Sequence, residues 1–228
     1  MIVMKDVHKT YDNGVSAVNG ISINIDQGEF VYIVGPSGAG KSTFIRLIYR
    51  EEIPTKGEIL INDIELSKLK EKEIPFFRRK IGVIFQDFKL LPRLTVYENV
   101  AFALEVIEMP PEKIRDRVME VLELVGLKHK ARSYPNELSG GEQQRVSIAR
   151  AIANYPKIII ADEPTGNLDP DTSWTIMRIL EEINMRGTTV IMATHSKEIV
   201  NTVKKRVIAI ENGMVVRDEE QGVYGYEF

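Results

Sequence analysis

The stretch "EFVYIVGPSGAGKST", Glu29 to Thr43, decides the fold. Its first half is an unbroken apolar run, the pattern of a strand buried on both faces. Its second half, Gly35-Pro36-Ser37-Gly38-Ala39-Gly40-Lys41-Ser42-Thr43, fits G-x-x-x-x-G-K-[ST] in full. The residues from about Gly40 to Tyr49 predict a helix. Strand, glycine turn and helix in that order make a phosphate cradle. Glycines let backbone N–H groups turn inward around an anion, and the helix N-terminus adds partial positive charge. Lys41 brings a full charge to the outer phosphates, and the Ser42 hydroxyl is placed to hold Mg2+. A structural turn with an incidental lysine is the competing reading, and the strand-turn-helix setting argues against it.

Outward from this unit, short apolar runs alternate with amphipathic ones. "IGVIFQ" (Ile81–Gln86), "KIIIADE" (Lys157–Glu163) and "TTVIMATH" (Thr188–His195) read as further buried strands. From Glu112, the apolar positions Ile114, Val118, Val121, Leu122 and Val125 recur at helical spacing, bracketed by Pro110-Pro111 and Gly126. A second helical run uses Ile176, Ile179, Leu180 and Ile183 and stops at Gly187. This alternation predicts an α/β domain with a mixed or parallel core sheet. The first 30 residues and "GEILIND" (Gly57–Asp63) add a small antiparallel sheet, with a turn at Asp12-Asn13-Gly14. The segment 87–156 reads as an inserted helical lobe. The expected organisation is one domain over 1–228, with core 1–86 and 157–228. "VIAIENGMVV" reads as a hairpin turning at Asn212-Gly213. The acidic, glycine-spaced tail after Arg217 is expected to be loosely held.

Composition sets limits. The chain has 228 residues, 43% hydrophobic, enough to bury a core. A net charge of −3 gives no reason to expect nucleic-acid binding. The basic clusters Arg78-Arg79-Lys80 and Lys204-Lys205-Arg206 read as solvated faces. There are no cysteines, which excludes disulfides, zinc-thiolate sites and thiol catalysis. "MIVMKDVHKT" carries no signal-peptide pattern. The apolar runs fall far short of the ~20 residues that span a bilayer. The expectation is a cytosolic protein whose membrane role comes through a partner.

Two further elements carry chemistry. Ile158-Ile159-Ile160-Ala161 is an apolar run that ends in Asp162-Glu163. Ligands bind beyond the C-terminal ends of strands in such sheets. Asp162 is suited to hold Mg2+ through water, and Glu163 to take a proton from an attacking water. The other element is "NELSGGEQQR", Asn136 to Arg145. Ser139-x-x-Glu142 is a capping box, so a well-capped helix accounts for part of it. Capping does not call for both Gly140 and Gly141. Stripping two side chains from a helix N-terminus makes a second phosphate-binding surface. One chain cannot easily wrap one phosphate twice. Two copies facing head to tail can, with Ser139, Gly140, Gly141 and Glu142 of one closing over the nucleotide of the other.

"LSGGEQQRVSIARA" together with the phosphate loop resembles the nucleotide-binding domain of ABC-type ATPases, over essentially the whole chain. The resemblance implies a Mg2+-dependent ATPase that forms an ATP-dependent homodimer. It assigns Tyr11 to stacking on adenine, with a strand-end tyrosine as the plain alternative. It makes Gln86, at a strand end, a Mg2+ ligand and water sensor. Asp169, in "NLD", belongs to the loop that crosses to the other protomer, with a helix N-cap as the plain alternative. His195 becomes the switch that reaches the γ-phosphate. "IPFFRRKIGVIFQDFKLLPRLTVYENVAFAL" and "IADEPTGNLDP" are most similar to the bacterial cell-division subclass, with the lipoprotein-releasing and macrolide-type exporter ATPases as the alternative. Either subclass works at the cytoplasmic face of the membrane through an integral membrane partner. That partner is expected to dock beside Gln86 and the helical lobe, where Phe88, Leu90, Leu91 and Leu94 supply apolar surface.

Overall fold

The computed structural model describes residues 1–225. In chain order the strands are β1 (Ile2–Thr10), β2 (Ser16–Ile25), β3 (Phe30–Val34), β4 (Lys56–Ile61), β5 (Ile64–Glu65), β6 (Ile81–Ile84), β7 (Ile158–Asp162), β8 (Thr189–Ala193), β9 (Arg206–Glu211) and β10 (Met214–Glu219). The helices are α1 (Lys41–Ile48), α2 (Ile74–Arg78), α3 (Val96–Glu105), α4 (Pro111–Leu124), α5 (Gly140–Ile152), α6 (Pro170–Met185) and α7 (Lys197–Thr202). They fall into two compact units. One is Met1–Arg78 with the chain from Thr189 onward, the other Arg79–Thr188. β6 and β7 therefore go with the helices that pack on them.

In the first unit, β2, β1, β4 and β5 form an antiparallel sheet in that order. Ile2 and Met4 of β1 pair with Ile25 and Ile23 of β2 and with Ile61 and Ile59 of β4. All six side chains are buried, on one face of the sheet. Asp6, at φ +46, inserts a bulge that resets the alternation so that Val7 is buried next. The second sheet of this unit is centred on β3, parallel to β8 on one side and β9 on the other. Every residue of β3 is buried, as an unbroken apolar run requires. The hairpin β9–β10 turns at Asn212 (φ +49) and Gly213 (φ +77). The tail is held more firmly than its composition suggests. Arg217 donates to the carbonyls of Val223, Tyr224 and Gly225, and the Tyr224 amide donates to Asn201. The last three residues lie outside the described part.

In the second unit β6 and β7 run parallel, with Ile81 opposite Ile158 and Ile84 opposite Ala161. The helix α5 lies against β6 so closely that a Cβ on Gly82 would stand 2.4 Å from the Ala151 carbonyl oxygen. The predicted helical runs form as read. Ile114, Val118, Val121 and Leu122 of α4 and Ile176, Ile179, Leu180 and Ile183 of α6 are buried. Proline begins both helices. Among the described residues no helix is long and apolar enough to cross a membrane.

Gly82 fixes the separation of α5 and β6. Gly82→Ala would drive a methyl into the Ala151 carbonyl and the Ile159 side chain. Such overpacking costs about 1–3 kcal/mol, and a denaturant titration should show an unfolding free energy lowered by about that much.

Candidate active site

The loop between β3 and α1 is built by close backbone approach. A Cβ on Gly35 would stand 2.1 Å from the Ile210 carbonyl oxygen, and one on Gly40 would stand 2.2 Å from that of Ala17. Gly40 also sits at φ +106, a conformation open in practice to glycine alone. The Gly213 amide, from the β9–β10 turn, donates to Ala39 at 2.9 Å. Two neighbouring strands and a hairpin thus press the loop into shape. The buried Lys41 ammonium donates to the carbonyls of Gly35 (2.8 Å) and Pro36 (3.0 Å), spanning the loop from inside. Pro36, Ser37, Gly38 and Ser42 are exposed. No acidic residue stands in the first turn of α1, so nothing opposes an anion there. The Tyr11 hydroxyl and Thr43 Oγ1 hydrogen-bond at 3.0 Å, which brings the tyrosine to the foot of the same helix.

β3 and β8 are in parallel register, Ile33 opposite Ala193, so both chains leave the sheet at the same edge. His195 follows β8 by two residues and is exposed. It does not terminate the strand. The strand closes at Ala193, and the Thr194 hydroxyl accepts from the Ser196 amide to begin the turn into α7.

The second unit carries its own cluster. Asp162 is the last residue of β7. Glu163 follows at φ +49. Gln86 lies two residues beyond β6, in a loop and not at the strand end, because β6 stops at Ile84. Glu163 and Gln86 nevertheless converge. A Cβ placed on Gly166 would lie 3.1 Å from Gln86 Nε2 and 3.4 Å from Glu163 Oε2. The Ser42 hydroxyl of the first unit, and the Gln86 amide and Asp162 carboxylate of the second, each offer a hard oxygen donor. That chemistry fits Mg2+, which keeps waters and substrate oxygens in its coordination shell.

Ser139 caps α5 as a complete capping box. Its hydroxyl accepts from the Glu142 amide, and Glu142 accepts from the Ser139 amide at 2.9 Å. Lys130 reaches Glu142 at 2.6 Å, and these two contacts hold the Glu142 carboxyl below the usual carboxylate range. The two glycines behind the cap have different physical reasons. A Cβ on Gly141 would meet Thr172 Cγ2 of α6 at 2.2 Å, so that glycine serves packing within the chain. Gly140 has only Leu168 and Phe88 at ordinary contact distance. Asp169 caps α6, accepting from the Thr172 amide at 3.0 Å, the plainer of its two expected roles.

A family model described as ABC transporter matches residues 18–166. The chain belongs to that family. It is 73% identical over 225 residues to the cell division ATP-binding protein FtsE of Bacillus subtilis (strain 168), covering 99% of each chain. It is 63% identical over 227 residues to the protein of the same name from Streptococcus pneumoniae (strain D39), covering 100% of this chain and 99% of that one. Among solved structures, one described as a dimeric post-hydrolysis state of an ATP-binding cassette bound to ADP and Pi superposes with a TM-score of 0.88. It is 42% identical and covers 99% of this chain and 100% of its own.

Three residues of this ABC cassette went unread in the sequence. Arg150 of α5 donates to the carbonyls of Phe88 (3.0 Å) and Lys89 (2.7 Å), two residues with positive φ in the segment after Gln86. Asn99, fully buried, donates to Leu91, Leu94 and Thr95 carbonyls and accepts from the Leu91 amide. Gln144, also buried, donates to the Pro164 carbonyl at 2.8 Å. Arg150 and Gln144 brace loops 61 and 20 residues away in sequence, and Asn99 ties down the turn just before its own helix, four to eight residues away. In the same segment Phe88, Leu90 and Leu94 are half-buried and Leu91 is exposed.

Gly166→Ala should place a methyl between Gln86 and Glu163 while leaving every residue of the phosphate loop unchanged. Turnover of ATP is expected to fall by about tenfold or more while nucleotide affinity, read by equilibrium titration, is retained. The Glu142 carboxylate predicts a pH effect. A carboxyl lowered in the fold from its ordinary value of 4.5 stabilises the fold above that value. The contribution is lost as pH falls through the lower folded value. Glu142→Gln keeps the cap and removes the charge. Its denaturation midpoint should depend less steeply on pH between about 5 and 3 than that of the native protein.

Proposed function

We propose that the chain is the ATP-binding, ATP-hydrolysing subunit of an ABC-type membrane complex acting in cell division. Two copies work head to tail at the cytoplasmic face of the membrane, as peripheral subunits beside an FtsX-like integral membrane partner. Conformational change passes through that partner to peptidoglycan hydrolases outside the cell. The observation that carries the reading is a complete phosphate loop and a capped "SGG" helix end in one chain, at 73% identity to a cell division ATP-binding protein.

In this reading Tyr11 stacks on adenine. Lys41 and the backbone from Gly35 to Thr43 hold the β- and γ-phosphates. Ser42 and Gln86, with Asp162 acting through water, would hold Mg2+, and that ion would neutralise charge on the transferred phosphoryl group. Glu163 accepts the proton of the attacking water, and His195 donates to the γ-phosphate. Ser139, Gly140, Gly141 and Glu142 of the opposite chain complete the enclosure, and Asp169 lies in the segment that crosses between protomers. Catalysis of this kind is positioning plus charge stabilisation, so an isolated copy binds nucleotide and hydrolyses it slowly. The membrane partner docks beside Gln86 and helices α3 to α5.

Glu163→Gln removes the base at constant shape. With ATP and Mg2+ it should lose turnover by about a hundredfold or more and accumulate as a dimer by light scattering. Near-native turnover in that variant would remove Glu163 from the reaction. Ser139→Arg should block dimerisation and leave nucleotide affinity intact, since the phosphate loop is elsewhere in the chain. Loss of nucleotide binding itself in Ser139→Arg would sink the head-to-tail arrangement.

A further inference from the structure

Glu163 is held in a conformation that its own sequence resists. Its φ of +49 lies in the left-handed region, which residues with a Cβ populate sparsely. It also precedes Pro164, whose ring pushes the preceding residue toward extended backbone. Within the loop, the Gly166 amide donates to Glu163 at 3.1 Å and the Leu168 amide to Thr165 at 3.2 Å. Those bonds close the turn on itself. They do not fix its direction against the rest of the unit.

Gln144 does. It sits in the second turn of α5, only 1% exposed, and its side-chain amide donates to the Pro164 carbonyl at 2.8 Å. The carbonyl it holds belongs to the residue directly after Glu163. A buried glutamine is costly unless its polar atoms are used. Here the amide nitrogen is bonded to Pro164, while the buried Oε1 has no hydrogen-bond partner among the described residues. Leucine or methionine would fill the space without that cost, so the bond to Pro164 is what the amide supplies. The geometry points to Gln144 as a positioning residue for Glu163: through the Pro164 carbonyl it sets the direction in which the base presents its carboxylate. This rests on the reading of Glu163 as the base. The helix that carries Gln144 also carries Ser139 and Gly140 at its exposed end. One rigid element therefore joins the surface offered to the partner's nucleotide and the base serving the chain's own.

Gln144→Met keeps the length of the side chain and removes the donor. Its kcat for ATP should fall about tenfold, a change of one hydrogen bond's worth in the barrier. Its KM should stay within about twofold, because no group touching nucleotide is altered. Hydrogen exchange at the Gly166 and Leu168 amides should speed up in the nucleotide-free protein. Gln144→Glu supplies a second reading. Burial raises the pKa of a carboxyl at this position, and only its protonated form can donate to Pro164. Its activity relative to the native protein should therefore rise as pH is lowered from about 8 to about 6. A kcat within about twofold of native in Gln144→Met, with unchanged exchange, overturns the assignment. So does a loss of kcat accompanied by an equal loss of nucleotide affinity and a flat pH ratio in Gln144→Glu, which is what support of the fold alone would give. If Gln144→Met fails to fold, the pH ratio decides. Failure of the reading of Glu163 as the base looks different. Native protein and Glu163→Gln would then turn over ATP alike, while the exchange rates would still report on Gln144.

Discussion

The structure depends on one steric constraint: the backbone of the loop from Gly35 to Gly40 must pass within touching distance of other backbone. Carbonyls of Ile210 and Ala17 occupy the space where side chains on Gly35 and Gly40 would stand. The turn at Gly213 adds a hydrogen bond to Ala39. β3, β9, the β9–β10 turn and β2 are consequently locked to one another around the loop. A cradle made of backbone N–H groups works only if those groups are held in advance, since each degree of freedom left open must be frozen when the anion arrives. The buried core beneath β3 supplies that rigidity. The same constraint explains why Lys41 is buried to its ammonium and yet satisfied, with two loop carbonyls as partners.

The second unit solves a related problem by different means. Glu163, the proposed base, sits at a positive φ, and strain at such a place persists only when the surroundings over-determine it. Helix α5 is the main support. Its N-terminus is closed by a capping box. Its glycine at 141 admits Thr172 of α6. Its Gln144 holds the loop after Glu163 and its Arg150 holds the loop after Gln86. A helix carrying so many tasks along its length cannot shift at one end without disturbing the others. Interfaces packed to this density respond as units. That is the physical basis for expecting events at the Ser139 end to be felt at Glu163.

A short contiguous stretch is easy to read because its physics is local. The phosphate loop declares itself by glycine spacing and by its place between an apolar strand and a helix. The capping box of α5 declares itself by Ser139 and Glu142, the hairpin by Asn212-Gly213, and the helices α4 and α6 by apolar spacing between proline and glycine. Residues at strand ends were less legible. Gln86 and His195 looked terminal and are each two residues further on, because ladder pairing and not hydrophobicity ends a strand. The tail looked loose by composition and is gripped by Arg217 and Asn201, partners that no local pattern identifies.

The sequence by itself determined the order of strands and helices, the presence of a phosphate cradle, the acidic pair after β7 and the family they mark. These follow from periodicity and from glycine chemistry over fewer than about twenty residues. Only the tertiary structure decided which glycine serves packing and which stays open, that Gln86 and Glu163 meet across Gly166, and that Gln144 and Arg150 are braces. Those facts depend on contacts between segments far apart in the chain. A hydrogen bond from a buried side chain to a distant carbonyl leaves no periodic trace in either segment, so it becomes visible only when the backbone has brought the two together.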